Sequence, residues 1–331
     1  MIENNNAIGP LTVSFDLTNR CNLKCLHCYN NSGGDKNSVS DELSNKEVIE
    51  FIEEIATLKP ASFCFCGGEP LLRKDVLLDA ISILRKADVI CSMVTNGMLL
   101  NIETAEKLKE KGLYRVQISL DGNQESHTKL RGDNRSYQKA IDALKILKDV
   151  GIDSGVAFSP TRWNIEDIED VFELCLDYGV EELRIQNLMP LGRGEKNIDI
   201  IPSDSQYYDL RRFIKKINAF QIINNKKPRI DLGDPINHLV VYSRMNDNIS
   251  SYTEAVSITA NGDIYVSLYL PLIMGNVRKH SFKYYWENGL SKIWRQKSLR
   301  EMAYQYTSVK DLNKHIEQSR DYIKNNNLDA E

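Results

Sequence analysis

Cys21, Cys25 and Cys28, in the run CNLKCLHCY, place three thiol ligands within one short segment. An iron–sulfur cube takes one protein ligand per iron, and runs that only store or pass electrons supply four cysteines. Three cysteines leave one iron open to a ligand that is not protein, so the run predicts a cluster that binds a small molecule. Two blander readings use the same residues. Zinc would require a fourth Cys or His in a paired arrangement, and His27, inside the run, is badly placed to join its neighbours. Three buried thiols would bind nothing at all.

Other segments carry groups suited to a small charged ligand. In Cys66-Gly67-Gly68-Glu69-Pro70 the two glycines permit close backbone approach. Glu69 offers a carboxylate to an ammonium group, and Pro70 stiffens the exit. Val94-Thr95-Asn96-Gly97, Ile118-Ser119-Leu120-Asp121-Gly122, Arg131-Gly132 and Asn187 follow, with Pro190-Leu191-Gly192-Arg193-Gly194 beyond. Arg131 is a planar donor fork fit for a carboxylate or ribose; Asp121 reads as a turn cap. Taken singly, each of these is an ordinary turn or solvated loop. Cys64 and Cys66 alternate with Phe63 and Phe65, so both thiols face one side of a strand. Cys66 is a candidate hydrogen-atom donor, against the plainer reading of both as small hydrophobes. Cys91 and Cys175 lie in apolar patterns and read as core.

Six β-type runs must position these residues: Leu11–Leu17, Ala61–Cys66, Val89–Thr95, Tyr114–Leu120, Ile152–Phe158 and Glu182–Asn187. Between them, Asn45–Leu58 sets Val48, Ile49, Ile52, Ile55 and Ala56 on one face at helical spacing. Segments near 74–87, 102–111, 136–149 and 165–178 read similarly, with Ser136-Tyr137 as a helix cap and Gly112 and Gly151 as stops. This alternation implies a parallel sheet with right-handed crossovers. The fold class predicted is α/β: a partial (β/α)6 barrel over 1–195 and a small α+β extension over 196–331. The motifs fall at strand C-terminal ends, where barrel enzymes place chemistry. In the extension, Ser203–Phe220 reads as a helix, and Val256–Ile258 with Asp263–Leu268 as a hairpin turning at Asn261-Gly262 in type I′ geometry. Trp286–Trp294 and Ser308–Asn325 read as closing helices.

The chain has 331 residues, so one large domain with an appendage or two modest ones fit. A formal net charge of −4 gives no footprint for nucleic acid or an anionic membrane surface. No run approaches the roughly 18 apolar residues of a span, and MIENNNAIGP lacks a signal-peptide pattern. Seven cysteines, an odd number, argue against a disulfide scaffold. A reducing compartment, the cytoplasm, is expected.

In order and spacing, the cysteine run, GGEP, the Thr95-Asn96-Gly97 turn, SLDG with Arg131 and the Asn187 strand resemble the radical S-adenosylmethionine (radical SAM) superfamily over residues 11–195. The resemblance implies one 4Fe-4S cluster on Cys21, Cys25 and Cys28, and S-adenosylmethionine on its open iron. Tyr29, Gly67, Gly68, Glu69, Pro70, Asn96, Ser119, Arg131 and Asn187 are the implied cofactor contacts. Reductive cleavage would yield a 5′-deoxyadenosyl radical that abstracts a hydrogen atom, with electrons from a flavodoxin- or ferredoxin-type donor. An inactive relative keeping the cluster as a scaffold or redox sensor is the reading from another class; the intact cofactor segments speak against it.

Residues 250–300 resemble the SPASM extension of peptide-maturing members, through Asn261–Tyr265, Gly275-Asn276-Val277 and the Leu290–Trp294 segment. There the family places cysteines for auxiliary clusters. This chain has none after Cys175, and Ser267 and Ser251 stand near expected positions; a hydroxyl is a poor substitute for thiolate on iron. A clusterless extension is expected, with redox-neutral outcomes favoured. The substrate expected is a ribosomally made peptide, or alternatively a small molecule in cofactor or natural-product biosynthesis. The first strand near Leu11 leaves no recognition domain before it, so for a ribosomal precursor either a separate leader-peptide-binding protein or the C-terminal segment is expected to hold the leader. Leu239–Tyr242 and Tyr265–Leu272 are β-prone runs that could offer an edge for strand addition, or simply core.

Overall fold

A computed structural model describes residues 9–34, 41–243, 252–270 and 272–314. Along the chain run β1 (Thr12–Asp16), α1 (Asn45–Leu58), β2 (Ser62–Cys66), α2 (Lys74–Lys86), β3 (Ile90–Thr95), α3 (Ile102–Glu110), β4 (Arg115–Ser119), α4 (Gln124–Arg131), α5 (Ser136–Val150) and β5 (Asp153–Phe158). There follow α6 (Ile168–Tyr178), β6 (Glu182–Gln186), α7 (Asp204–Ile223), β7 (Arg229–Gly233), α8 (Pro235–Ser243), β8 (Ala255–Ile258), β9 (Asp263–Tyr265), β10 (Gly275–Asn276), α9 (Phe282–Glu287) and α10 (Lys297–Tyr304). The chain forms two compact units. The first comprises residues 1–20, 35–91 and 235–331, and the second residues 21–34 and 92–234. The C-terminal region from 196 therefore contributes to both.

In the first unit β1 pairs in parallel with β2 on one side and with β8 on the other. β9 and β10 continue it antiparallel. One sheet face is apolar: Val13, Phe15, Phe63 and Phe65 are fully buried. Phe15 packs on Phe51 of α1 with ring centroids 5.3 Å apart, which locates the helices on that side. The apolar spacing of α1 supplies the matching stripe, Val48, Phe51, Ile52, Ile55 and Leu58. Its start is fixed by a capping box, in which the Ser44 hydroxyl accepts the Glu47 N–H and the Glu47 carboxylate accepts the Ser44 N–H. The other face is polar. Register sets Tyr265, Ser257, Ser14 and Cys64 in one cross-strand row, with Asp16 beside Cys66 in the next.

In the second unit β3, β4, β5, β6 and β7 are neighbours in that order, all parallel. Helices end where left-handed residues stop them: Gly132, Gly151 and Gly179 have φ of 72, 75 and 68°. At the outer strand β7, the Asn218 amide of α7 accepts the Ile230 N–H at 2.9 Å and donates to the Ile230 C=O at 2.7 Å. At β10 in the first unit the Tyr285 hydroxyl does the same for Asn276, at 3.2 and 3.1 Å. Each end strand thus has one residue's ladder groups satisfied by a side chain.

The six predicted strands are present to within a residue or two. A seventh parallel strand, β7, escaped notice because Pro228-Arg229-Ile230-Asp231 alternates over too few residues and carries charges on its exposed side. Helix α4 lacks an apolar period; His127, Leu130 and Arg131 are what it buries. Ser136 does not cap α5: Arg135 occupies that position, and the Ser136 hydroxyl donates to Asp133 C=O at 2.7 Å. Residues 239–242 belong to helix α8 and cannot offer a strand edge; the 265–272 run leaves β9 at Tyr265. The Asn261-Gly262 turn is not type I′, because φ is positive at Gly262 and not at Asn261. Its Gly262 N–H bonds Thr259 C=O at 2.9 Å, a longer loop closed by a left-handed glycine. Gly289 breaks the expected 286–294 helix into α9 and a 3-10 turn over Leu290–Arg295. Residues 308–325 are helical over Asp311–Lys314, and from 315 onward, like Ser251, lie outside the described residues.

Candidate active site

The cysteine loop belongs to the second unit, where three neighbouring segments hold it. Gly192, at φ 57°, brings its backbone so close that an added Cβ would lie 2.3 Å from Tyr29 O and 2.7 Å from Cys28 O. The Arg193 N–H donates to Cys28 C=O at 2.9 Å. Its guanidinium reaches back to Cys25 C=O at 2.8 Å and Ser32 C=O at 2.7 Å. Asn197 adds a bond to Leu26 C=O at 3.1 Å. The Pro190–Gly194 segment, read only as a loop after the last strand, is therefore a clamp on the backbone of the ligand run. The end of α4 gives a second hold, Leu26 N–H to Leu130 C=O at 2.9 Å.

Beneath Cys25 lies a buried charged cluster. Asp121, expected to cap a turn, is fully buried and is the pivot. Its Oδ2 accepts from Arg131 Nε at 2.9 Å, Arg131 Nη2 at 2.8 Å and His27 Nε2 at 3.2 Å. Oδ1 accepts the Ser159 N–H at 2.9 Å. Burial alone would raise the Asp121 pKa, but the Arg131 charge and then His27 outweigh it and hold the carboxyl well below the usual range. Arg131 stays charged despite burial because of Asp121. The backbone N–H of Asp121 donates to His127 Nδ1 at 3.0 Å, so neutral His127 carries its proton on Nε2. Burial, then the Arg131 charge, push the His127 pKa down to about 3.

The sulfurs receive donors. Arg131 Nη1 points at Cys25 Sγ, 3.9 Å away. Cys21 Sγ lies 3.5 Å from the Leu23 N–H and 3.9 Å from Asn96 Nδ2. Burial raises the Cys25 pKa, and the Arg131 charge offsets only part of that rise. These donors suit cluster ligands, since hydrogen bonds to sulfur and nearby charge tune such centres. Among the described residues no three His, Cys, Asp or Glu side chains converge on a single ion; a cube needs no such convergence, because each thiolate takes its own iron.

Asn96, Ser119, Arg131 and Asn187, the expected cofactor contacts of this unit, take different positions. Asn96 is tied to the ligand run, its Nδ2 on Asn22 Oδ1 at 2.8 Å and its Oδ1 accepting the Met98 N–H at 3.0 Å. Ser119 ends β4, partly exposed, opposite Ala157. Asn187, just past β6, is 5% exposed, with its Oδ1 buried and without a partner. An orphaned acceptor of this kind is what a bound hydroxyl or ammonium would satisfy. Tyr29 is half-buried. Arg131 is turned inward, onto Asp121 and Cys25.

In the first unit the GGEP segment follows β2. Gly67, at φ 125°, and Gly68 are required by the chain itself: added Cβ atoms would come to 2.5 Å from Thr18 O and 2.1 Å from Arg20 O. The Gly68 and Glu69 N–H groups donate to those same carbonyls at 2.7 and 2.8 Å. The glycines thus let this loop lie against 18–20, the residues that lead into Cys21. Glu69 is fully buried, and one carboxylate oxygen caps the Leu71 N–H at 3.1 Å in the turn begun by Pro70. Cys64 and Cys66 share the polar face as expected, with sulfurs 3.5 Å apart, and both are half-buried. Cys91 and Cys175 are core, and burial pushes their thiols up to about 12.

Residues 15–175 match the profile of the radical SAM superfamily. An AdoMet-dependent heme synthase of Methanosarcina barkeri is 29% identical over 304 residues, 87% of this chain and 84% of that protein. The mycofactocin maturase MftC of Mycolicibacterium smegmatis is 33% identical over 188 residues, 56% of this chain and 46% of that protein. Among solved structures, SuiB of Streptococcus suis bound to S-adenosylmethionine aligns with a TM-score of 0.68 at 18% identity, over 87% of this chain and 68% of that one. The same protein bound to the precursor peptide SuiA gives 0.67 at 17%, over 87% and 67%. At such identities the likeness concerns the fold, an α/β partial barrel. The strand-end motifs, the three-cysteine run and this fold define an iron–sulfur enzyme class. The chain belongs to the radical SAM superfamily, with relatives of the SPASM-like branch, and its cofactors are a 4Fe-4S cluster and S-adenosylmethionine.

Proposed function

We propose that this enzyme removes a hydrogen atom from a peptide, at a side chain or α-carbon, during maturation of a ribosomally synthesised precursor. Cys21, Cys25 and Cys28 would hold the cluster, which together with S-adenosylmethionine would supply the radical chemistry for that step. The proposed cofactor contacts are Gly67, Gly68, Glu69 and Pro70 in the first unit, and Tyr29, Asn96, Ser119 and Asn187 in the second, where the orphaned Asn187 Oδ1 is an available acceptor. The observation that carries the peptide reading is the polar sheet face of the first unit. Tyr265, Ser257, Ser14 and Cys64 in one row, with Asp16 and Cys66 in the next, suit a chain rich in amide groups. Burial pushes the Tyr265 hydroxyl up to about 12, so it remains a donor. Cys66 on this face is the candidate hydrogen-atom donor to a substrate radical. SuiB, crystallised with a precursor peptide, has the same fold.

The region 196–331 is read as a SPASM-like domain without auxiliary clusters, and no cysteine follows Cys175. A flavodoxin- or ferredoxin-type donor, a separate leader-binding protein and a cytoplasmic location complete the proposal. Among the described residues no helix is long and apolar enough to cross a membrane. A second reading, chemistry on a small molecule of the tetrapyrrole class, is favoured by the heme synthase similarity across 87% of the chain. Co-expression with short peptides encoded beside the enzyme, followed by mass spectrometry, separates the two. A mass change in one peptide, dependent on Cys25, is expected; unmodified masses throughout, with turnover of an iron porphyrin instead, would overturn the peptide reading.

A further inference from the structure

Arg131 has the residue type and position for a methionine carboxylate, yet its guanidinium is spent inside the protein. Nε and Nη2 both donate to Asp121 Oδ2, and Nη1 is directed at Cys25 Sγ at 3.9 Å. The side chain is 9% exposed and Asp121 1%, so solvent does little to blunt these charges. Asp121 cannot drift: Ser159 N–H holds its second oxygen, Asn164 Nδ2 holds its C=O at 3.1 Å, and His127 receives its N–H. His27, inside the ligand run, donates to the same carboxylate. The arrangement is an ion pair aimed end-on, with its positive end at a ligand sulfur.

We infer that Arg131, oriented by Asp121, is a positioning residue that sets the reduction potential of the cluster through Cys25. The inference rests on the superfamily assignment above. One-electron reduction adds a negative charge to the cluster, and that charge is shared by its thiolates. A donor and a cation at Cys25 Sγ stabilise the reduced form and raise the potential; the Asp121 carboxylate, farther from the sulfur, offsets part of the effect and fixes the geometry. Removing either partner therefore moves the potential in opposite directions. A purely structural role would not do this, since loosening the site has one sign whichever partner is lost.

The test uses the full chain, reconstituted anaerobically with iron and sulfide and titrated with dithionite and mediator dyes under electron paramagnetic resonance. Arg131→Gln should lower the midpoint so that reduction is at least tenfold less favourable, about 59 mV for one electron. Arg131→Lys, which keeps the charge, should recover part of that shift, and Asp121→Asn should raise the midpoint. The spectral change on adding S-adenosylmethionine should persist in Arg131→Gln, because the Arg131 guanidinium is committed to Asp121 and Cys25. An unmoved midpoint in iron-loaded Arg131→Gln, shifts of the same sign in both variants, or loss of the S-adenosylmethionine response in Arg131→Gln would overturn the inference. If Arg131→Gln holds no iron, the Arg131→Lys and Asp121→Asn midpoints decide by the same criterion. A wild-type chain that takes up no cluster would instead overturn the superfamily assignment, an outcome the iron count separates from the rest.

Discussion

Replacing Gly192 by alanine tests the clamp on the ligand run, and Gly179→Ala provides its control. Both glycines are left-handed, at φ 57 and 68°, so each substitution carries the same conformational cost of about 1–2 kcal/mol. They differ in what the new Cβ meets. At Gly179 nothing lies within 4 Å, whereas at Gly192 it would fall 2.3 Å from Tyr29 O and 2.7 Å from Cys28 O. Relieving that overlap requires a shift of about 1 Å, since ordinary carbon contacts begin near 3.5 Å. Such a shift pulls the Arg193 N–H off Cys28 C=O, now at 2.9 Å. Stranding a buried pair of this kind costs about 1–3 kcal/mol more. Gly179→Ala should lower the thermal midpoint by about 2 °C and retain about four irons per chain; Gly192→Ala should lower it by at least about 4 °C. Iron content after reconstitution should fall in Gly192→Ala alone. Equal midpoints and equal iron in the two variants would refute the clamp.

Gly68→Ala drives a Cβ to 2.1 Å from Arg20 O and breaks the two backbone bonds that tie GGEP to 18–20. A loss of about 3 kcal/mol is expected in urea unfolding, and an unchanged midpoint would count against the packing described. Arg278 bonds the Glu47 carboxylate at 2.7 Å, and the Asp41 and Glu42 carbonyls at 2.9 and 2.8 Å. The Arg278 and Ser44 bonds pull Glu47 down to about 2, from 4.5. A depressed carboxylate contributes stability that is complete above pH 4.5 and lost as pH falls toward 2. With solvent screening at this exposed site, Arg278→Ala should cost about 1 kcal/mol at neutral pH and flatten that acid slope; identical slopes in mutant and wild type would refute the linkage.

Much of this was legible from residue types. The strands showed because Val13, Phe15, Phe63 and Phe65 alternate with small polar residues on a half-buried sheet. The ligand run and GGEP showed because their chemistry is concentrated in a few neighbouring positions. What stayed hidden is contact between distant positions. Arg193 reaches Cys25 across 168 residues, and Asp121 reaches His27, Arg131 and Ser159, from three different segments. A buried aspartate followed by an arginine ten positions on was the one available signal, and it reads equally well as a capped turn. The glycines of GGEP carry a further requirement that residue types alone did not show: they face Thr18 and Arg20 carbonyls. α4 was missed because its helix is held by its ends, through the Asn123 cap and Gly132, rather than by an apolar stripe.

The two side chains that satisfy Ile230 and Asn276 bear on how the protein behaves in a crowd. An open strand end is a template on which copies can stack, and most chains blunt it with charge, proline or a bulge. Here, beside the charged residues and Pro228 at β7, one amide and one phenol contribute, each mimicking a neighbouring strand at a single residue. Loss of either would leave its fold standing but uncover a hungry ladder rung. The burden would then appear as self-association at high concentration, long before it appeared as unfolding.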